Sequence, residues 1–513
     1  MTDIIIIQLA RLGDIIQSIP LIEDIRDEYS DANIYLIIND VFKECEIFLK
    51  GITVIPIVLE DLMHDNITTN VKSESDIIFK QYFGSLNHLN ALLINLNNSA
   101  ISRKIADFIV SDRKYGFGMP NSAEWSAFIT SFLKTRHLNS INLVDIFRRF
   151  FHSASNIQTP SNSSYQANLE RNSFYKACLE RDSFYKACLV RTYPDTKQKK
   201  IAIQCGARNV KRQFQKKHYL DIANHYLKKN YEVYLLGLKS ESITAKFITD
   251  TIKNKNLIDT TGKTDLQGLI DILSSCELVY TPDTGTMHLA ALCKTPFVAL
   301  FRGPAFPFET LAYTDKATIY MPDKESFPCY PCNDDDICQN GFACGRFDFK
   351  KLFDGKENQG FINLTVNHDE IGQVLAPMEE LASLWRHFTK YYFFDLPCPP
   401  SVGTHLCCPN PSVGTHLCCP NPSVGNALVR CAMSIGTNDT DNATKTTDLP
   451  YTQNELLKRE LKLWEMIDID DLEIAENNFY FLKPLIYFNK LYKDNTLIKE
   501  AIRFYNYFLD RNH

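Results

Sequence analysis

Apolar residues along this chain occur in two arrangements, short continuous runs and longer stretches with helical spacing. The run from Ile4 to Ile7 is apolar on both faces, which is typical of a strand buried in a parallel sheet. Apolar residues between Ile15 and Ile25 then recur at helical spacing, and residues 33–38 have the composition of a second strand. This order of strand, helix and strand predicts that the chain begins with a βαβ unit.

A second series of alternating elements begins near residue 200. We predict strands at residues 201–204, 231–236, 278–280 and 297–301, and helices at residues 219–228, 266–275 and 287–292. Strands that alternate with helices indicate a parallel sheet. The sequence therefore predicts an α/β protein in which two Rossmann-like domains face a cleft, with their boundary near residues 190–199.

Two short tandem repeats interrupt this pattern. Residues 169–188 contain LERNSFYKAC followed by LERDSFYKAC, and residues 400–421 contain PSVGTHLCCPN twice. Two copies are too few for a solenoid, so we interpret the first pair as a lengthened helix or loop. The second pair is rich in Pro and Gly and indicates a linker. Residues 426–450 are polar and predicted to be disordered, whereas residues 454–513 return to helical spacing.

Composition and charge exclude several classes of protein. The chain has 513 residues, of which 45% are hydrophobic and 23% charged, a balance that excludes wholesale disorder. Its net charge of -6 argues against a globally basic nucleic-acid binder. No apolar run reaches the roughly 18 residues of a membrane span, and the start of the chain lacks the pattern of a signal peptide. We therefore expect a cytoplasmic protein.

Residues 281–292, TPDTGTMHLAAL, form the segment with the strongest chemical signal. They follow a predicted buried strand and begin a helix, and the amino end of a helix attracts phosphate through its N–H groups and dipole. Asp283 suits a hydrogen bond from a sugar hydroxyl. The alternative is an ordinary helix start, with a Thr cap and His288 packed in the core. Three residues would present backbone N–H groups to a phosphate: Thr284, Gly285 and Thr286.

Two further loops follow predicted strands. Residues 206–212, GARNVKR, end in two cations, and Lys211 would offset negative charge on a leaving phosphate. The alternative for this segment is a solvated basic loop. Residues 11–14, RLGD, follow the first strand, at the edge where open α/β sheets place their active sites. Asp14 is a candidate general base there, and the alternative is that it caps the following helix.

Together these segments resemble glycosyltransferase family 9, the heptosyltransferases of lipopolysaccharide assembly. The resemblance covers about residues 1–390 and nothing after about residue 395. It rests on four motifs: Arg-x-Gly-Asp at residues 11–14 with Pro20 after it, Gly206-Ala207 leading to Lys211, Asp-Thr-Gly-x-x-His-Leu-Ala-Ala at residues 283–291, and Pro-x-x-Ala-Leu-Phe at residues 296–301.

The resemblance implies a GT-B fold and an inverting transfer from a nucleoside-diphosphate sugar, usually ADP-heptose. By position, Asp14 corresponds to the base that activates the acceptor hydroxyl, and Lys211 to the diphosphate contact. Glu241 corresponds to the ribose-binding acid and Gly262 to the loop beside the nucleobase. No metal is implied for the transfer step. The other implied donor-binding residues are Gly206, Asp283, Thr284, Gly285, Thr286 and His288.

Two segments depart from the family pattern. Gln213 and Phe214 stand where the family usually has Trp-Pro after Lys-Arg. The family commonly has Gly-Pro-Thr after the last motif, whereas here Arg302 intervenes and Ala305 replaces the Thr. These changes bear on the identity of the donor sugar more than on the fold.

Cys329, Cys332, Cys338 and Cys344 form a candidate metal site with tight spacing. In a chain without an export signal, clustered cysteines favour metal ligation over disulfides. Four thiolates suit structural zinc or iron, and the alternative is four free thiols in a loop. A subgroup of family 9, the autotransporter heptosyltransferases, is similar in having a cysteine-bound iron.

We therefore predict four parts: an acceptor-binding Rossmann-like domain at 1–195, a nucleotide-sugar-binding one at 196–395, a repeat-containing linker at 396–450 and a helical extension at 451–513. The expected partners are a nucleotide sugar and an acceptor hydroxyl on lipopolysaccharide core or protein. Peripheral contact with the inner membrane is expected, and nucleic acid is not. The alternative function is a non-catalytic scaffold with a GT-B fold that binds nucleotide sugar or metal.

Overall fold

The computed structural model describes residues 3–63, 74–88, 91–122, 126, 142–154, 198–314, 317–323, 326–332, 337–338, 340–356 and 358–366. Both tandem repeats, the predicted linker and the predicted helical extension lie outside these residues. The two sheets belong to one compact unit of the chain. In the described part, no helix is both long and apolar enough to cross a membrane.

The first sheet has five parallel strands in the order β3-β2-β1-β4-β5. The predicted first strand is at its centre, and Ile4 to Ile7 are fully buried because helices cover both faces. The strands are β1 (Asp3–Ile7), β2 (Asn33–Asn39), β3 (Thr53–Ile57), β4 (Leu92–Asn95) and β5 (Arg113–Gly116). The α-helices are α1 (Leu12–Gln17), α2 (Ile19–Glu28), α3 (Leu59–Met63), α4 (Glu74–Phe83), α5 (Ala100–Phe108) and α6 (Leu143–Ala154).

The predicted first helix is in fact two helices, α1 and α2, that meet at Ser18. Pro20 lies in the first turn of α2, where its missing N–H group breaks no helical hydrogen bond. The Ser18 hydroxyl donates to the Ile15 carbonyl at 2.6 Å. The proline therefore separates a short helix, which carries Asp14, from the longer helix that packs on the sheet.

The second sheet has seven strands in the order β12-β11-β10-β9-β6-β7-β8, and only the β11–β12 pair is antiparallel. The strands are β6 (Lys200–Gln204), β7 (Glu232–Leu236), β8 (Leu257–Asp259), β9 (Leu278–Pro282), β10 (Phe297–Leu300), β11 (Ala317–Pro322) and β12 (Phe361–Val366). The α-helices are α7 (Lys216–Leu227), α8 (Ser242–Thr251), α9 (Leu266–Ser275), α10 (Gly285–Leu292), α11 (Pro307–Thr310) and α12 (Phe349–Phe353).

Short 3-10 helices occupy several of the connections. They are Asp40–Phe48, Gly84–His88, Pro120–Ser122, Val210–Arg212, Lys239–Glu241 and Ala343–Gly345. Each sheet has its own buried apolar cluster, and the second cluster is rich in aromatic rings that include Tyr280, Phe347 and Phe349. These two βαβ series confirm the predicted α/β class with two Rossmann-like sheets, the arrangement of a GT-B fold.

Helix α6 connects the part of the chain that contains the first sheet with the part that contains the second. Arg148 on α6 makes two hydrogen bonds to Asp24 of α2, with lengths of 2.6 and 3.0 Å. Its remaining terminal nitrogen lies 3.5 Å from the hydroxyl of Tyr313, which follows α11. Burial alone would raise the pKa of Asp24, but Arg148 and His152 outweigh burial and lower it. A half-buried ion pair thus holds α2, α6 and the chain after α11 together.

Candidate active site

Helices α1 and α10 meet through two glycines at the carboxyl edges of the two sheets. A β-carbon placed on Gly13 would lie 2.7 Å from Cδ2 of His288. A β-carbon on Gly285 would lie 3.2 Å from Cδ2 of Leu12. Because neither glycine has a side chain, the two helices approach closely. Asp14, the residue after Gly13, therefore lies beside the amino end of α10.

Asp14 lies in the first turn of α1 and is half-buried. Its carboxylate accepts a hydrogen bond from the backbone N–H of Arg11 at 3.1 Å, as one half of a capping box. Burial raises the pKa of this carboxyl, and the negative charge of Asp283 raises it further, whereas Arg11 and Arg212 lower it. The same side chain thus caps the helix and has the increased basicity that a general base requires.

Asp283 and Arg212 form a buried ion pair next to Asp14. The Arg212 Nη1 atom lies 2.8 Å from Asp283 Oδ2, and the two side chains are 10% and 4% exposed. The sequence suggested a sugar hydroxyl as the partner of Asp283, but one of its oxygens contacts Arg212. Arg212 is thus a site residue that the sequence motifs do not indicate. Its position next to Lys211 is the one feature of the sequence that suggests a role in the site. Its pairing with Asp283 could not be predicted, because the two residues are 71 positions apart in the sequence.

The amino end of α10 has no side-chain cap. The hydroxyl of its N-cap residue, Thr284, lies 3.0 Å from the hydroxyl of Thr281 instead. The Thr286 hydroxyl donates to Gln204 Oε1 at 2.8 Å, which ties α10 to the end of β6. The hydroxyls of Thr284 and Thr286 therefore make hydrogen bonds to other side chains of the protein. Backbone N–H groups of the first turn are the donors that suit a phosphate here.

His288, in the second turn of α10, and Lys211, in the loop after β6, are both buried. Burial lowers the pKa of His288 to about 4, against the opposing effect of Asp283, so the imidazole is neutral at pH 7. Gly303, with a φ of +60°, packs so closely on Lys211 that a β-carbon would lie 2.5 Å from the Lys211 carbonyl oxygen. Positive charge near the helix end therefore comes from Arg212, which pairs with Asp283, rather than from His288.

Three other predicted donor-binding residues meet beyond the ends of β6, β7 and β8. A β-carbon on Gly206 would lie 2.5 Å from Cγ of Glu241. The Glu241 carboxylate accepts a hydrogen bond from the backbone N–H of Leu238, and burial raises its pKa. Gly262 has a φ of +67°, and a β-carbon placed on it would lie 3.0 Å from Cα of Lys239. The structure thus brings Gly206 and Glu241 into contact, and Gly262 lies against the turn that carries Glu241.

The four predicted metal ligands lie in what we call the cysteine segment, residues 329–346. All four are free thiols, and the Cys329 Sγ accepts a hydrogen bond from the Asn340 amide at 3.3 Å. The Cys338 Sγ accepts one from the backbone N–H of Phe342, also at 3.3 Å. Within the described part of the chain, no three metal-ligating side chains converge. Four thiolates suit zinc or iron, but their placement does not form the predicted metal site.

A family model and several curated proteins match parts of this chain. Residues 88–336 match the model of glycosyltransferase family 9 (heptosyltransferase). Lipooligosaccharide heptosyltransferase 2 of Haemophilus influenzae is 32% identical over 105 residues, which are 20% of this chain and 30% of that protein. Lipopolysaccharide heptosyltransferase 2 of Escherichia coli is 28% identical over 105 residues, again 20% of this chain and 30% of that protein. The chain thus spans 30% of the length of these curated relatives.

Among solved structures, the Escherichia coli heptosyltransferase WaaC with ADP is similar, with a TM-score of 0.46 and 13% sequence identity. The similarity covers 61% of this chain and 91% of that chain. The family match and the curated relatives agree with the motifs of the sequence. Residues 88–336 of this chain are therefore similar to glycosyltransferase family 9.

Proposed function

We propose that this protein is an inverting glycosyltransferase that moves heptose from ADP-heptose to a hydroxyl of lipopolysaccharide core or of a protein. The observation that carries the proposal is the contact between α1 and α10. It places a carboxyl of raised pKa, Asp14, within electrostatic reach of Arg212 and Asp283 at an uncapped helix end. A base, cations and phosphate-binding N–H groups are the parts that a sugar transfer from a diphosphate requires.

In this proposal, the diphosphate of the donor binds the first turn of α10, close to Lys211 and Arg212. The Arg212–Asp283 ion pair fixes the guanidinium, so its charge faces the site without reorganisation during the reaction. Glu241 accepts hydrogen bonds from the ribose hydroxyls, since its position is fixed by Leu238 and Gly206. The loop of Gly262 lies beside the nucleobase.

Transfer then follows from the position of Asp14. Its carboxylate takes the proton of the acceptor hydroxyl while that oxygen forms a bond to the anomeric carbon of the sugar. The bond from that carbon to the diphosphate oxygen breaks, and the electron pair leaves with ADP. Attack from the face opposite the diphosphate inverts the configuration. Lys211 and the N–H groups of α10 stabilise the negative charge that develops on the diphosphate.

The remaining parts of the proposal concern location and acceptor. We place the protein in the cytoplasm, with peripheral contact at the inner membrane where a lipid-linked acceptor would be reached. No nucleic acid takes part, and no metal takes part in the transfer step. The cysteine segment has no chemical role in the transfer.

The direct test is release of ADP from ADP-heptose by the purified protein, with Asp14→Asn as the key variant. We expect release by the wild type and a loss of at least about 100-fold in the variant, the usual contribution of a general base. Asp31→Asn changes an exposed carboxylate in the same domain and is the matched control. Full activity of Asp14→Asn would disprove the role of Asp14.

The donor and the function are tested in the same assay. Absence of both binding and release with ADP-heptose would reject this donor and require a panel of other nucleotide sugars. Binding of a nucleotide sugar without turnover on any acceptor would contradict the proposed transfer. That result would favour the non-catalytic scaffold.

A further inference from the structure

Arg302, the residue that interrupts the family motif after β10, is buried with an exposed fraction of 3%. Its Nη1 atom donates a hydrogen bond to the backbone carbonyl of Gln213. Its Nε and Nη2 atoms are buried and have no hydrogen-bond partner in the part of the chain that the structure describes. A buried charge with unsatisfied donors costs stability. Stability alone therefore does not explain an arginine at this position.

The guanidinium of Arg302 lies between two segments that are far apart in the sequence. Its Cζ atom is 5.7 Å from the ring centre of Phe214 and 5.2 Å from that of Phe342, distances that allow cation–π contact. A β-carbon on Gly345 would lie 2.5 Å from the same Cζ atom. Arg302 therefore joins the turn that contains Lys211 and Arg212 to the cysteine segment.

Gly303 makes a second connection between the same two segments. Its backbone packs on the carbonyl oxygen of Lys211, where a β-carbon would lie only 2.5 Å away. Its own carbonyl accepts a hydrogen bond from the backbone N–H of Cys332 at 3.2 Å. Residues 302 and 303 thus contact the turn at Gln213 and Lys211 on one side and the cysteine segment on the other.

We propose that Arg302 is a positioning residue, which braces the turn of residues 210–213 against the cysteine segment and so fixes Lys211 and Arg212 at the diphosphate. This proposal rests on the proposed function. Arginine suits the task because its planar group donates a hydrogen bond while both faces stack on other groups. Among the described residues, Arg302 reaches the site through the turn, so its loss is expected to disturb placement of the cations rather than binding of the nucleotide.

The test compares Arg302→Met and Arg302→Lys with Arg346→Met. Arg346 belongs to the same cysteine segment but is exposed, and it donates to the Gly341 carbonyl at 3.4 Å. In Arg302→Met we expect kcat to fall about tenfold or more while the Kd for ADP changes less than about threefold, because misplaced groups affect the transition state most. Arg302→Lys keeps the charge without the planar stacking and is expected to be intermediate.

The melting temperature separates positioning from simple structural support. Removal of an unsatisfied buried charge is expected to leave the Tm of Arg302→Met within about 3 °C of the wild type. A drop of about 10 °C or more, with activity lost in proportion, would show a structural residue and overturn the proposal. Unchanged kcat in Arg302→Met would also overturn it.

Amide hydrogen exchange tests the proposal without any turnover. We expect faster exchange in the peptide that covers residues 206–215 of Arg302→Met, and wild-type exchange in Arg346→Met. Unchanged exchange in that peptide would overturn the positioning role. An inactive wild type with faster exchange in Arg302→Met would instead contradict the proposed sugar transfer and leave the brace supported.

Discussion

Burial shifts the pKa values of two residues of the candidate site, Asp14 and His288. Asp14 and His288 lie on helices that pack against each other, where Asp14 is half-buried and His288 is buried. Burial favours the neutral form of each group, so it raises the pKa of the carboxyl and lowers that of the imidazole. A carboxylate of increased basicity and a neutral histidine therefore result from one packed interface.

The raised pKa of Asp14 predicts an acid limb in the pH profile. Only the ionised carboxylate can accept the proton, so kcat/KM is expected to fall as the pH drops through the raised pKa of Asp14. That limb should lie at higher pH than for an ordinary aspartate. The measurement is kcat/KM from pH 4.5 to 8, with folding checked at each pH. A profile flat down to pH 4.5 would contradict the assignment.

The raised pKa of Asp14 also predicts that Asp14→Asn is at least as stable as the wild type. The folded state binds the Asp14 proton more tightly than the unfolded state does, so the fold loses stability as the pH rises from the unfolded pKa, near 3.8, through the raised value. Asp14→Asn is expected to have a Tm equal to or higher than that of the wild type at pH 7, and the difference should vanish at low pH. A lower Tm at pH 7 would show that the capping bond to Arg11 dominates.

Residue types at strand ends were predictable from the sequence, but their partners were not. The carboxyl ends of parallel strands meet at one edge of a sheet, so Asp14, Lys211 and Thr284 could be placed near a site in advance. The pairing of Arg212 with Asp283 depends on two loops of the second sheet meeting in space. The contacts of Arg302 likewise require the cysteine segment to pack against the end of β10. Neither set of contacts can be predicted from the spacing of residues in the sequence.

At the scale of elements, the close packing of α1 on α10 brings Asp14 next to the amino end of α10. Gly13→Ala adds a β-carbon 2.7 Å from His288 Cδ2, which is closer than two carbon atoms can pack. Alanine is the better helix former, so any loss reflects this contact rather than helix propensity. We expect kcat/KM to fall at least about tenfold, since a displacement of 1 Å can cost about 100-fold in rate.

Gly84→Ala is the matched control for this change. A β-carbon on Gly84 would lie 3.5 Å from Cγ of Lys80, an ordinary contact distance. This control is expected to keep wild-type kcat/KM and Tm. Equal activity of Gly13→Ala and Gly84→Ala would mean that α1 and α10 need not touch during catalysis.

The boundaries of the predicted strands and of the predicted helices of the second sheet lie within three residues of those observed. Helix α9 has the predicted limits, and α7 begins three residues before the predicted start. The division between α1 and α2 was missed because Pro20 fits within the first turn of a new helix as well as in a loop. Six of the described strands have no counterpart among the predicted ones: β3, β4, β5, β8, β11 and β12.

At the scale of the whole molecule, the ion pair of Arg148 and Asp24 holds the part with the first sheet to the chain after α11. Asp24 keeps His152 at 3.3 Å when Arg148 is removed, and the Arg148 side chain is 29% exposed, so Arg148→Met is expected to reduce the free energy of unfolding by about 1 kcal/mol. Because the pair lowers the pKa of Asp24, its contribution is present above the unfolded pKa, near 3.8, and is lost as the pH falls through the lowered value.

A double-mutant cycle measures this contribution directly. The variants are Arg148→Met, Asp24→Asn and the two changes combined, each followed by urea unfolding. If the two groups interact, the double variant should lose less stability than the sum of the single losses. Additive losses would show that each side chain stabilises the fold independently of the other.

The antiparallel strand β12 determines where the chain can be shortened. Its register with β11 runs from Ala317 opposite Val366 to Pro322 opposite Phe361. A fragment ending before residue 361 would leave β11 with unpaired backbone groups along a strand whose side chains are mostly buried. Such an exposed edge promotes pairing between copies and aggregation. Expression of the catalytic sheets alone therefore has to extend through residue 366, well beyond the end of the family match at residue 336.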